Sequence, residues 1–108
     1  NHDMSRLGEL VDKYPNLYAD IAARYAESAT IPRYMKAFFE KHQDRLLYGT
    51  DMGFKTDMYR ITFRILESED EHFYETGQFG YHWALNGFGL PKEVLRKIYH
   101  DNAIRIMK

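Results

Sequence analysis

One acidic residue of this sequence follows a run that favours a buried β-strand. In Arg45–Asp51, RLLYGTD, apolar and aromatic residues lead into Gly49, Thr50 and Asp51. Side chains alternate along a strand, so Leu47, Gly49 and Asp51 share one face, on which Gly49 leaves room for a ligand. A carboxylate at a strand end can bind a metal ion or accept a proton from water. The alternative is that Asp51 only caps the next helix or closes a turn.

A second pair of charged residues follows an earlier strand-type segment. Leu17–Ile21, LYADI, predicts a short strand in which Asp20 stands near the end, and Arg24 follows shortly after. Both side chains could line a pocket, in which Arg24 could bind a substrate carboxylate. A local ion pair or a helix cap is the simpler interpretation of the two residues.

A cluster of histidines and acids lies in a segment rich in aromatic residues. His72 and His82 stand there with Asp70, Glu71 and Glu75. Their spacing matches no standard metal motif, so we interpret them as residues of a solvated or packed loop.

The intervening patterns place these residues on alternating helices and strands. Such an order is typical of an α/β fold with a parallel sheet. A helix over Met4–Tyr14 ends before Pro15, and another starts near a Thr30 cap and Pro32 and runs to about His42. The remaining predicted elements are a helix over Asp57–Leu66, an ordered loop over His72–Gly89, a helix opened by Pro91 and a short final turn capped by Asp101 or Asn102.

The composition fits one folded domain. Of the 108 residues, 44% are hydrophobic and 16% aromatic, and the net charge is −1, which gives no support for a nucleic-acid partner or an anionic membrane. The absence of cysteine excludes disulfides and thiolate metal sites. No apolar run approaches the roughly 18 residues that a transmembrane helix needs. The sequence does not indicate a cellular compartment.

Three segments together resemble a known family. DRLLYGTDMG (Asp44–Gly53) is similar to the last-strand motif of the amidohydrolase superfamily, in its amidohydrolase-2, decarboxylase-like branch. YPNLYADIAA (Tyr14–Ala23) is similar to the preceding strand of that branch with its lead-in helix, and GLPKEVLRKIYHDNAIRIM (Gly89–Met107) to its C-terminal helices. The three occur in the family's order and cover most of the chain.

The resemblance implies that residues 1–108 are a single partial domain, the C-terminal portion of a TIM-type (β/α)8 barrel. We expect two short parallel strands and roughly four to five helices, too few to close a barrel of about 250 residues. It further implies a metal-dependent hydrolase in which metal-activated water attacks a small-molecule substrate, with zinc as the metal and Asp51 as metal ligand and general base. The alternative chemistry is metal-dependent decarboxylation of a small carboxylate.

The histidines of the family's metal site are missing from this sequence. That site needs a His-x-His pair on the first strand and single histidines on two middle strands, and no His-x-His occurs here. We therefore expect the remainder of the parent barrel to supply them and residues 1–108 alone to be inactive. The competing interpretation is a non-catalytic α/β fragment that forms homo-oligomers through exposed sheet edges.

Overall fold

The computed structural model describes residues 4–22, 25–50, 56–75, 77 and 83–107. In these ranges the chain forms an α/β arrangement around one pair of strands, with helices before, between and after them. None of the helices so described has both the length and the apolar character that crossing a bilayer requires.

The two strands pair in parallel, as the sequence predicts. β1 (Ala19–Asp20) lies beside β2 (Leu46–Leu47), with Ala19 opposite Leu46. Backbone hydrogen bonds from Ala19 to the Arg45 carbonyl (2.9 Å) and from Ile21 to the Leu47 carbonyl (3.0 Å) extend the pairing slightly. Both strands are shorter than the predicted Leu17–Ile21 and Arg45–Asp51, and the described residues show this pair of strands without the rest of a barrel.

The helices begin and end close to the predicted positions. Pro32 occupies the first turn of its helix, where a missing N–H has no partner to lose. The predicted Thr30 cap is wrong, because Ile31 takes the cap position and the Thr30 hydroxyl donates to the Glu27 carbonyl at 2.6 Å. The helices are α1 (Met4–Lys13), α2 (Tyr25–Ser28), α3 (Pro32–Lys41), α4 (Thr56–Glu67), α5 (Lys92–Arg96), a π-helical turn (Lys97–Asp101) and α6 (Asn102–Ile106).

The hydrophobic core lies between the strand pair and the helices. Leu46 of β2 is fully buried, and α3 packs Met35, Phe38 and Phe39 in the same core from positions three and four residues apart. Helix α4 contributes a matching stripe, which consists of Met58, Ile61, Ile65 and Leu66.

The long aromatic segment after α4 is an ordered loop in the part that is described. Phe73 and Leu85 form an antiparallel bridge, and the amide of Phe88 donates to the Ile65 carbonyl at 2.6 Å. Gly87 passes so close to α4 that a Cβ atom there would lie 2.0 Å from the carbonyl oxygen of Ser68. The loop is therefore fixed to α4 by backbone contacts that only glycine permits at that position.

The C-terminal helical segment covers the outer edge of β2. The Asn102 N–H donates to the carbonyl of Lys97, five residues earlier, instead of to that of Ile98. The Ile98 carbonyl accepts the amide of Tyr48 at 3.1 Å. The π-helical turn thus directs a backbone acceptor to the strand edge, and the helix runs on through Asp101 and Asn102, where the sequence predicted a new capped turn.

The Asn102 side chain completes this cover. It is fully buried, and its amide donates to the carbonyls of Gln43 (2.7 Å) and Leu46 (2.9 Å). Because Leu46 directs this carbonyl away from β1, Asn102 supplies the partner that a third strand would otherwise provide.

Replacing Asn102 should destabilise the protein. In Asn102→Leu the volume is nearly kept but two carbonyls lose their donor, which should lower the free energy of unfolding by about 2 kcal/mol. Gln43→Leu is the matched control, since its side-chain amide makes one exposed bond to Glu40 and should change stability by less than about 0.5 kcal/mol. Urea denaturation measures both variants, and equal losses would contradict the edge-capping role.

A buried histidine joins α1 to α3. The side chain of His42 is 5% exposed, and its ring lies 4.7 Å from the Phe38 ring, centroid to centroid. A Cβ atom at Gly8 would stand 3.1 Å from His42 Nε2, so α1 crosses close above the ring. Burial lowers the pKa of His42, and the Asp12 carboxylate, 3.7 Å from Nδ1, opposes that shift.

This shift predicts a loss of stability in acid. The unfolded chain takes up the His42 proton near the ordinary value of 6.5, whereas the folded chain takes it up only at lower pH. The contribution of neutral His42 to the free energy of unfolding is therefore complete above pH 6.5 and is lost as the pH falls through the pKa of the folded state. Denaturation between pH 8 and pH 5 should show a smaller loss in His42→Gln than in wild type. The exposed His100→Gln is the control, and a wild-type slope in His42→Gln would contradict the assignment.

Candidate functional site

The strand ends bring two predicted features together. Asp20 pairs with Leu47, so by alternation Asp20, Leu47 and Gly49 share one face of the sheet. The Asp20 carboxylate lies against Gly49, where an added Cβ atom would be 2.7 Å from Oδ1 and 2.9 Å from Oδ2. The Asp20 carboxylate thus fills the space over Gly49, where the sequence suggested that a ligand would bind.

Asp20 combines a local bond with an exposed carboxylate. Its Oδ1 atom accepts the backbone N–H of Ala22 at 2.7 Å, which closes a turn directly after β1. The residue is nevertheless exposed at the strand end. The local turn interpretation therefore accounts for one oxygen, and the carboxylate stays accessible from solvent.

Tyr25 is a residue of this region that the sequence did not single out. It is 4% exposed, and its hydroxyl donates to the Gly49 carbonyl at 2.6 Å. Burial raises the pKa of Tyr25, with a smaller contribution from Tyr48, so the hydroxyl keeps its proton for this bond. Nothing in the local pattern separates Tyr25 from an ordinary core aromatic, because its partner is 24 residues away.

Asp51, the principal catalytic candidate, is not among the described residues. Thr50 is buried at the exit of β2, while Asp51 and Arg24 are outside the described residues, as is His82. The predicted roles of Asp51 and Arg24 therefore stay predictions. What the structure places is the face of the sheet and the strand exit from which Asp51 follows.

A complete metal centre is not formed by the described part of the chain. Within residues 4–22, 25–50, 56–75, 77 and 83–107, no three His, Asp or Glu side chains form a group that could hold a metal ion. His72, with a φ of 56°, is exposed and its Nε2 lies 3.1 Å from the Tyr74 hydroxyl. The loop interpretation of the His72 cluster holds for its described members.

A mostly apolar cavity of about 310 Å³ lies beside β1. Leu7 of α1 and Met35 of α3 line it, and Asp20 and Tyr25 stand among its lining residues. The strand-end polar groups thus border a space that is otherwise hydrophobic, an arrangement typical of small-molecule sites.

Comparison with known proteins gives one match. The family model described as Amidohydrolase matches residues 2–108, which is nearly the whole chain. No curated protein and no solved structure shows significant similarity to the chain.

The contact between Asp20 and Gly49 predicts a coupled pair. Gly49→Ala forces the Asp20 carboxylate away from its turn and should cost about 1–2 kcal/mol of unfolding free energy. In an Asp20→Ala background the same change should cost less, with a coupling of about 1 kcal/mol in a double-mutant cycle.

Gly77→Ala is the control, because among the described residues its Cβ would meet the flexible end of Glu75, at 3.1 Å. Additive effects of Gly49→Ala and Asp20→Ala would show that the carboxylate does not lie where the structure has it.

Proposed function

Because the chain belongs to the amidohydrolase family, we propose that it is the C-terminal part of a metal-dependent hydrolase. The observation that carries this proposal is the family match over residues 2–108. The parallel β1–β2 pair with helices in the connection is consistent with the last units of a (β/α)8 barrel. The remainder of that barrel would be the partner of this segment.

Asp51 is the proposed catalytic residue of this segment. Leu47 pairs with Asp20, and the strand predicted from the sequence, Arg45–Asp51, would by alternation turn Asp51 to the same face as Leu47. A bound divalent ion, proposed as zinc, would lower the pKa of its water toward neutrality. The role proposed for Asp51 is that of a metal ligand and of the base that accepts a proton from the attacking water.

Asp20 and Arg24 are proposed to bind the substrate. The exposed Asp20 carboxylate can accept a hydrogen bond from a substrate hydroxyl or amide while Oδ1 keeps its bond to Ala22. Arg24 follows this turn and offers a guanidinium group to a substrate carboxylate. Together with Asp51, these two residues favour a small substrate that carries polar groups.

The other metal ligands are proposed to come from outside residues 1–108. The described residues hold no group of three candidate ligands, and the sequence has no His-x-His pair. A zinc site with a single protein ligand would bind weakly, since catalytic zinc usually has three. This segment is thus proposed to complete a site rather than to form one.

The competing proposal is a non-catalytic fragment that oligomerises through its sheet edges. On the outer edge of β2, the backbone of Leu46 and of Tyr48, which directly follows β2, already has partners in Asn102 and Ile98. A strand added at this edge, from a second copy or from the remainder of a barrel, would have to displace both bonds.

Zinc binding tests the proposal directly. In the complete polypeptide that contains this segment, Asp51→Asn should weaken zinc binding at least about tenfold, because a neutral amide replaces a ligating carboxylate. Hydrolysis of a panel of small amides and esters, followed by chromatography of the carboxylate product, should fall by about 100-fold or more.

The matched control is Asp44→Asn, which removes a surface carboxylate 3.0 Å from Lys97 before β2 and should leave both quantities unchanged. Residues 1–108 alone should neither hold zinc tightly nor turn over substrate. Tight zinc binding and turnover by that isolated segment, or unchanged zinc affinity in Asp51→Asn, would contradict the proposal.

A further inference from the structure

We infer that Tyr25 is a positioning residue that fixes the direction in which β2 leaves the sheet. The inference rests on the proposed function, because the residue positioned is Asp51. Its basis is the hydrogen bond of 2.6 Å from the Tyr25 hydroxyl to the Gly49 carbonyl, which lies two residues before Asp51.

Two side chains from the end of β1 converge on Gly49. The Asp20 carboxylate lies over its Cα atom, within 2.7 Å of an ideal Cβ position, and the Tyr25 hydroxyl holds its carbonyl. Among the described residues, the ladder of β2 ends at Leu47, and none of the sheet hydrogen bonds they form reaches Gly49. These two contacts hold Gly49 in place directly after the last hydrogen bonds of the strand ladder.

Tyr25 is itself held firmly. Its ring is 96% buried by packing in the core and lies 6.3 Å from the Tyr48 ring, centroid to centroid. The short helix α2 that carries it leads to Ala29, whose carbonyl accepts both the backbone amide and the side-chain amide of Asn86, at 2.9 and 3.0 Å. The hydroxyl therefore belongs to a rigid support, as a group that orients another residue requires.

The neutral hydroxyl suits this task. A charged donor at this position would add its own charge beside Asp20 and the strand exit, whereas a phenol donates one directed hydrogen bond and leaves the local charge unchanged. The ring fills the core and the oxygen alone reaches the carbonyl, so Tyr25→Phe removes the positioning bond without removing the packing.

The test compares two phenol deletions in the complete polypeptide. Tyr25→Phe loses the bond to Gly49, and the control Tyr48→Phe loses a bond of the same length, 2.6 Å, to the Thr62 hydroxyl on α4. The readouts are backbone amide exchange at Thr50 and Asp51, and the ¹³C chemical shift of the Asp51 carboxyl group at one fixed pH. Thermal denaturation is recorded so that both variants are compared well below their Tm.

Tyr25→Phe should accelerate amide exchange at Thr50 and Asp51 by about fivefold or more, the change expected for one lost hydrogen bond. It should also change the chemical shift of the Asp51 carboxyl carbon, while Tyr48→Phe should leave both readouts at wild-type values. Equal exchange rates and equal carboxyl shifts in the two variants would overturn the inference, since a general packing role would affect them alike.

The proposed function fails separately, through the zinc affinity of Asp51→Asn. If that affinity is unchanged, Asp51 has no metal role and the inference falls with it. If it drops while Tyr25→Phe matches Tyr48→Phe, the inference alone is wrong.

Discussion

The parallel pairing of β1 with β2 is the constraint on which the rest of the structure depends. Two strands expose backbone groups at an outer edge, and these groups need partners. On β2 the C-terminal segment supplies them, through the carbonyl of Ile98 and the side chain of Asn102. The C-terminal segment therefore occupies, on this edge of β2, the place that a further strand would take.

The same pairing organises the candidate site. Its register sets Asp20 beside Leu47, so the acid at the end of β1 reaches Gly49 on the neighbouring strand exit. Tyr25 then donates a hydrogen bond to the carbonyl of that glycine. Both contacts hold Gly49 directly after β2, and both come from residues within five positions of β1.

The sequence predicted the features that depend on local periodicity and on the positions of prolines. Pro15, Pro32 and Pro91 bracket helices, and the amphipathic spacing of Met35, Phe38 and Phe39 gives the buried face of α3. The family resemblance stated from three segments is confirmed by the match over residues 2–108. Long-range polar pairings escaped prediction: Asn102 with Leu46 and Tyr25 with Gly49 join residues 56 and 24 positions apart, and nothing in either local segment encodes the partner.

We propose that Asp51 ligates a metal ion in a site that this segment helps to complete. The most direct measurement is a crystal structure of the complete, zinc-loaded polypeptide. If Asp51 has this role, one of its carboxylate oxygens should lie about 2.0–2.2 Å from the ion, with histidines from earlier strands as the other ligands. A zinc site elsewhere in the protein, with the Asp51 carboxylate turned into a helix cap, would contradict it.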